Sequence, residues 1–297
     1  MPSAAAEPLF PGARDVRATV DGIEVAAWVM GAGPPVLLLH GYPQTRAMWH
    51  RVAPRLAERF TVVVADLRGY GDSSAPEGDP AHEHYSKRAM AADQVGLMEE
   101  LGHTRFAVVG HDRGGRVGHR MALDHPNRVT RLAVLDIVPT RVVFATARTE
   151  LATAYFHWFF LIQPDELPER LIGADPGYWL DEILDRWSAT DAPFDDRAVS
   201  EYRRCFVRAA NIHASCEDYR AAATIDLEHD AVDRARLQQP LLVLWGLRGA
   251  MNRLYDVPDT WADLAVDQRS AAIDCGHFLA EERPGETSLE LERFLDG

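Results

Sequence analysis

Val108-Val109-Gly110-His111-Asp112-Arg113-Gly114-Gly115 is an apolar run that passes through a Gly-x-Asp-x-Gly pattern into a helix-compatible stretch. Small residues two before and two after the central position permit a sharp strand-to-helix turn. Such a turn exposes the central side chain, which is the geometry of a nucleophile elbow. The residue placed there is Asp112, a carboxylate rather than a hydroxyl. The pattern alone arises by chance, and an Asp at a helix start can be a simple cap. Here the flanking elements and matching partners elsewhere in the chain favour the elbow.

Short apolar segments without alternation lie on either side, at residues 36–40, 61–66, 106–110, 132–137 and 240–245, each followed by a turn. Strands covered on both faces read this way. Residues 18–29 read as an antiparallel hairpin turning at Asp21-Gly22. Helical spacing over 85–101 stops at Gly102, and a second helix over 114–125 stops before Pro126. Alternation of this kind predicts an α/β fold: a parallel sheet with helices on both faces. The pattern breaks between about 140 and 238, where the aromatic-rich stretches AYFHWFFLIQP, PGYWLDEILDRW and EYRRCFVRAANIHASCEDYRAAA intervene. The expectation is a core over 1–139, a helical cap over 140–238 and a return to the core over 239–297. The cap would place its aromatic residues above the carboxyl ends of the strands, where open α/β sheets bind ligands.

The 297 residues carry 45 Asp plus Glu against 31 Lys plus Arg, a net charge of -14 that argues against nucleic acid or an anionic membrane surface as partner. With 47% apolar and 26% charged residues the chain has ordinary globular composition, and disorder is excluded as its main theme. Cys205, Cys216 and Cys275 are odd in number and lack CxxC spacing, so neither a disulfide framework nor a zinc site is expected. The start, MPSAAAEPLFPGARDV, has no basic segment followed by an apolar one, and no apolar run approaches the roughly 18 residues of a membrane span. A reducing, cytoplasmic setting is expected.

Two further segments suit the elbow. His40-Gly41-Tyr42-Pro43 follows the first buried strand, where the backbone N–H of Tyr42 could join that of Arg113 in an oxyanion hole. Ile273-Asp274-Cys275-Gly276-His277-Phe278 puts His277 just beyond the last strand, the place for a general base. The other eleven histidines lack that placement, and His111 reads as structural.

With HGYPQT at 40–45, DLRGYGDSS at 66–74, GHDRGGRVGHRMALDHP at 110–126, FHWFF at 156–160, CEDYR at 216–220 and CGHF at 275–278, the chain resembles the haloacetate dehalogenases of the α/β-hydrolase superfamily, above all those that act on fluoroacetate. The resemblance covers nearly the whole chain. It implies the α/β-hydrolase fold, with a mostly parallel eight-stranded sheet, helices on both faces and an inserted helical cap. Related haloalkane dehalogenases and epoxide hydrolases typically carry Trp after the nucleophile. Arg113 stands there instead and points to a charged substrate.

The same resemblance implies Asp136, at the end of LAVLDI, as the third member of an Asp112–His277–Asp136 triad. Many hydrolases put this acid after the following strand, but no acid occurs there until the distant Asp256. Asp66 and Asp72 read as loop-structuring residues. A haloacetate and an ionised Asp112 are both anions, and at about 4 Å they repel by roughly 4 kcal/mol at an effective dielectric near 20. Arg113 and Arg116, three apart on the elbow helix, can share a face, and the resemblance assigns them to the substrate carboxylate. It likewise assigns His157, Trp158 and Tyr219 to the departing halide, to which they offer imidazole, indole and phenol donors. Phe156, Phe159 and Phe160 read as cap core.

The expected activity is hydrolytic dehalogenation of short 2-haloacids. Asp112 forms an ester with the halogen-bearing carbon, and His277-activated water hydrolyses it. No metal or organic cofactor is expected. The expected partner is the small anionic substrate, and the resemblance suggests a homodimer formed through the cap. An epoxide hydrolase would use the same triad with two cap tyrosines, which Tyr155, Tyr178, Tyr202 and Tyr219 could supply; Arg113, Arg116 and the His-Trp pair weigh against it. A non-catalytic binding protein of this fold is expected to have lost a triad member, and none is missing.

Overall fold

Asp21 and Gly22 both take positive φ, 47° and 84°. That two-residue turn folds β1 (Arg14–Val20) against β2 (Ile23–Met30) with Val20 opposite Ile23. The computed structural model describes residues 9–233 and 235–297. β2 continues the sheet by antiparallel pairing with β4 (Thr61–Ala65). The other strands are β3 (Pro35–Leu39), β5 (Phe106–His111), β6 (Val129–Leu135), β7 (Leu241–Gly246) and β8 (Gln268–Ile273). The single sheet has the order β1-β2-β4-β3-β5-β6-β7-β8, parallel from β4 onward.

β3, β4, β5 and β7 are buried along nearly their whole length, which is why their sequences are unbroken apolar runs. β8, at the sheet edge, is largely exposed and carries Gln, Arg and Ser. β6 begins three residues before its apolar core and ends at Leu135, not at 137, because Asp136 turns to φ 51°. The helix expected from 85 begins instead at Lys87 and runs to Glu100. Ser86 caps it by accepting the Ala89 amide, and Tyr85 belongs to a short 3-10 turn. The elbow helix spans Arg113–Asp124.

Between β6 and β7 the described residues form eight helices, from Thr140–Ala145 to Ile225–Val232. One detail departs from expectation: Phe156 is 38% exposed, while Phe159 and Phe160 are half-buried. The helix Phe156–Phe160 is only five residues long and turns His157 and Trp158 inward, which leaves Phe156 on its outer side. Among the described residues no helix is long and apolar enough to cross a membrane.

Candidate active site

Asp112 sits between β5 and its helix at φ 45°, ψ -113°, a sparsely populated conformation held by close backbone packing. A Cβ on Gly110 would lie 2.3 Å from the Gly114 carbonyl oxygen, and one on Gly114 would lie 2.5 Å from that of His40. Only hydrogen at both positions lets the turn close. The elbow thereby presents a buried carboxylate whose Oδ1 accepts the Tyr42 amide at 2.9 Å. Burial pushes the Asp112 carboxyl up, but His277, Arg113, His111 and Arg116 outweigh it and hold the pKa below the usual carboxylate value.

His277 lies on the loop after β8. Its amide donates to the Trp187 carbonyl at 2.9 Å, and the amides on either side, of Gly276 and Phe278, donate to Glu282 at 2.9 and 3.0 Å. Glu282 also accepts the Ala189 amide at 2.8 Å, so one carboxylate ties the His277 loop to the end of the helix Pro176–Trp187. Asp136 Oδ2 is 2.6 Å from His277 Nδ1, and its Oδ1 accepts the Gly246 amide at 3.0 Å. Asp256 instead accepts the amide of Asp259, as a local turn residue would. Burial opposes a charge on His277, yet the Asp136 bond and the nearby carboxylates leave its pKa above the ordinary value. Its Nε2 is buried with no hydrogen-bond partner among the described residues. His111 donates through Nε2 to the His277 carbonyl at 2.8 Å, and burial beside His277 pushes its pKa down to about 3.

Arg113 is fully buried. Its Nε and Nη2 meet the two carboxylate oxygens of Asp218 at 2.8 and 2.6 Å. Asp218 also takes the Lys87 ammonium and the Tyr70 hydroxyl, the latter at 2.7 Å. Burial alone would raise its pKa, but Arg113 and Lys87 hold it well below the carboxylate range. Arg116 donates through Nη1 to the Val138 carbonyl and to Thr140 Oγ1, both at 2.9 Å. Burial and then Arg113 push Arg116 down to about 10, which leaves it charged at neutral pH. Arg113 Nη1 and Arg116 Nε are buried without a hydrogen-bond partner among the described residues. Both guanidinium carbons lie over Trp158, at 5.5 and 4.6 Å, and Arg113 lies 4.1 Å over Tyr219.

The helical insertion supplies the facing wall. His157 and Trp158 pack edge-on against Tyr219 at 5.5 and 5.6 Å, and Tyr42 contacts Tyr219 at 5.4 Å. His157 Nδ1, Trp158 Nε1 and the Tyr219 hydroxyl are buried with no hydrogen-bond partner among the described residues. Burial keeps His157 neutral and Tyr219 protonated, so each can donate. Donors left in this state carry a cost of about 1–3 kcal/mol each unless an acceptor meets them, so an acceptor placed between them would relieve that cost. Asp66 accepts the amides of Arg46 and Asp72 at 2.8 and 3.0 Å, in the loop beside β4.

Comparison with known proteins agrees with this architecture. The alpha/beta hydrolase fold model matches residues 34–284. The chain belongs to the α/β-hydrolase fold family. This α/β-hydrolase is 49% identical to the fluoroacetate dehalogenase of Burkholderia sp over 97% of its own length and 95% of that protein. It is 32% identical to the soluble epoxide hydrolase of Corynebacterium sp. (strain C12), over 90% of this chain and 92% of that one. Among solved structures it superposes on ALR0039 of Nostoc sp PCC 7120, an α/β-hydrolase candidate, with TM-score 0.95 and 54% identity, covering 96% of this chain and 98% of that one.

Four residues of this hydrolase escaped the sequence reading. Asp218 neutralises and orients Arg113 and is itself bonded by Lys87, Glu282 clamps the His277 loop, and Trp187 packs between His157 at 4.4 Å and His277 at 5.3 Å. One signal for Asp218 was available. An arginine destined for the interior needs a counter-charge, and Asp218 directly precedes Tyr219 in the CEDYR segment.

Proposed function

We propose that this hydrolase dehalogenates short 2-haloacids, fluoroacetate among them, to the 2-hydroxyacid and halide. The observation that carries the reading is the pair of buried guanidinium groups, Arg113 and Arg116, beside a carboxylate at a nucleophile elbow. A neutral substrate gives no reason to bury two cations there. A planar carboxylate does, because it can take the free Arg113 Nη1 and Arg116 Nε while its α-carbon faces Asp112.

Ser would be the wrong nucleophile, since displacement from an sp³ carbon would leave an ether that water cannot cleave. Asp leaves an ester. With Oδ1 held by the Tyr42 amide, Asp112 Oδ2 attacks the α-carbon, the carbon–halogen bond breaks, and the halide departs toward His157, Trp158 and Tyr219. Those three donors stabilise the charge as it develops. His277 Nε2 then takes a proton from water while Asp136 holds Nδ1–H, and the resulting hydroxide attacks the Asp112 Cγ. The amides of Tyr42 and Arg113 receive the oxyanion, the ester C–O bond breaks as protonated His277 returns its proton to the departing alkoxide oxygen, and Asp112 is restored to the carboxylate by losing one proton. Haloacetate plus water gives glycolate, halide and one proton. In this division residues 1–139 and 239–297 supply the triad and residues 140–238 the halide donors.

An epoxide hydrolase is the second reading, favoured by Tyr155 and Tyr219, both buried, with rings 5.2 and 5.5 Å from that of His157. Tyr178, 64% exposed, and Tyr202, bonded to Glu281, do not serve it. The deciding experiment incubates the purified protein with fluoroacetate, chloroacetate and a styrene-type epoxide and measures halide and diol. Halide is expected; diol without halide overturns the first reading. A homodimer through the cap is the expected assembly, with Leu167, Leu171 and Tyr178 exposed on the cap surface. Sedimentation velocity at twice the monomer mass supports it, and a monomer overturns it.

A further inference from the structure

A cavity of about 220 Å³ reaches His277 from the outer side of the cap junction. Its lining includes Arg186, Arg248, Arg253, Trp187 and Tyr155, and it contains no carboxylate. On a chain with net charge -14, a cavity that reaches His277 and is lined by three arginines and no carboxylate is the reverse of the average surface. We propose that this cavity is an anion vestibule, in which Arg186, Arg248 and Arg253 draw a small carboxylate to the mouth of the catalytic site. The proposal rests on the haloacid reading and deepens it.

The three arginines differ in how they are held. Arg248 is braced: it donates to the Ala189 carbonyl at 2.7 Å and to the Asp274 carbonyl at 2.9 Å, and its Nε lies 2.9 Å from the Asp274 carboxylate. Arg186 meets Glu182 one helical turn away at 2.9 Å. Both arginines line the cavity, and neither Asp274 nor Glu182 does. The Arg253 side chain has no ion pair or hydrogen bond among the described residues, and it lines the cavity. The floor is His277, whose ring is within 5.3 Å of Trp187. The field of a net-negative protein repels a haloacetate at distance. A local cluster of cations in a low-dielectric mouth reverses that field within about one Debye length, about 10 Å at 0.1 M salt.

Arg113 and Arg116 bind the carboxylate at its destination, whereas the vestibule acts before that. The two roles separate in kinetics. The test compares wild type with R253Q and with the triple variant R186Q/R248Q/R253Q, measuring halide release from chloroacetate between about 10 and about 300 mM ionic strength. In the triple variant kcat/KM is expected to fall about fivefold at low salt with kcat within about twofold, and its salt dependence to flatten. R253Q, which removes no hydrogen bond, is expected to show a smaller change of the same kind. Unchanged kcat/KM and salt dependence in both variants overturn the vestibule, as does a fall in kcat with the salt dependence intact.

A second readout needs no turnover. Quenching of Trp187 fluorescence, isolated by subtracting a W187F spectrum, is measured with iodide and with neutral acrylamide. Wild type is expected to favour iodide at this residue, and the triple variant to lose that preference while acrylamide quenching persists. Absence of halide release from every haloacetate overturns the functional reading and leaves the vestibule to stand or fall on the iodide result. Halide release with no iodide preference overturns the vestibule alone.

Discussion

The guanidinium of Arg113 is gripped by both carboxylate oxygens of Asp218, at 2.8 and 2.6 Å, with both side chains fully out of water. The pair joins the elbow helix to the helix Ala209–Ala223 of the insertion, so the same contact that orients the cation proposed to bind substrate also seats the insertion on the core. Removing one member strands the other in a dry interior. Asp218→Asn is therefore expected to lower unfolding stability by about 3 kcal/mol and to raise KM for haloacetate about tenfold. Urea melts and initial rates check both. A variant with wild-type stability and KM would show that Arg113 needs no counter-charge.

Removing the base should separate the two chemical steps. In His277→Asn the imidazole proposed to activate water is gone, while Asp112, the Tyr42 amide and the proposed halide donors remain. One equivalent of halide is expected to be released, with a substrate-derived ester left on Asp112. Intact-mass and peptide mass spectrometry locate the adduct. An unmodified Asp112 in a variant shown by calorimetry to bind substrate counts against covalent catalysis.

The pH profile follows from the His277–Asp136 contact. In the proposed mechanism hydrolysis of the ester needs neutral His277, and the Asp136 carboxylate at 2.6 Å raises the pKa of that imidazole. Activity should rise with pH through a value above the ordinary histidine pKa and then level off, since Asp112 is already ionised well below this range. Asp136→Asn should shift the acidic limb to lower pH and reduce kcat by about 10²- to 10⁴-fold, because the ring loses both its charge partner and its orientation. An acidic limb that does not move would remove Asp136 from this role.

Much of the frame was legible in the chain because two local rules act without help from tertiary packing. A Gly-x-Asp-x-Gly break between an apolar run and a helix has one economical geometry, and doubly covered strands must be apolar throughout. The limits were also physical. Asp136 ends β6 because of its own positive φ, which hydrophobicity does not report, and Phe156 lies outside because its five-residue helix has room to bury only part of its circumference. Asp218, Lys87 and Glu282 are charged residues, which in a sequence read as surface. Their burial follows from partners 105, 131 and 6 positions away, and the two distant pairings exist only once the cap has closed.

Glu281 gives the same lesson in a form that stability can measure. It is buried where the insertion meets the core, accepting the Tyr202 hydroxyl at 3.0 Å and the Gln44 amide. Burial pushes its carboxyl up to about 8, against the smaller opposing effect of those two donors. In the unfolded chain the same group titrates near the ordinary glutamate value. Between these two values the folded protein holds a proton that the unfolded chain has lost, so unfolding releases it. The contribution is complete below the unfolded pKa and is lost as pH rises through about 8. Glu281→Gln keeps the shape without the ionisation. It should match wild type most closely near pH 5 and exceed it by on the order of 2 kcal/mol near pH 9 in urea melts. Parallel pH dependence in the two proteins would mean that Glu281 stays ionised in its pocket, and that Gln44 and Tyr202 carry its charge.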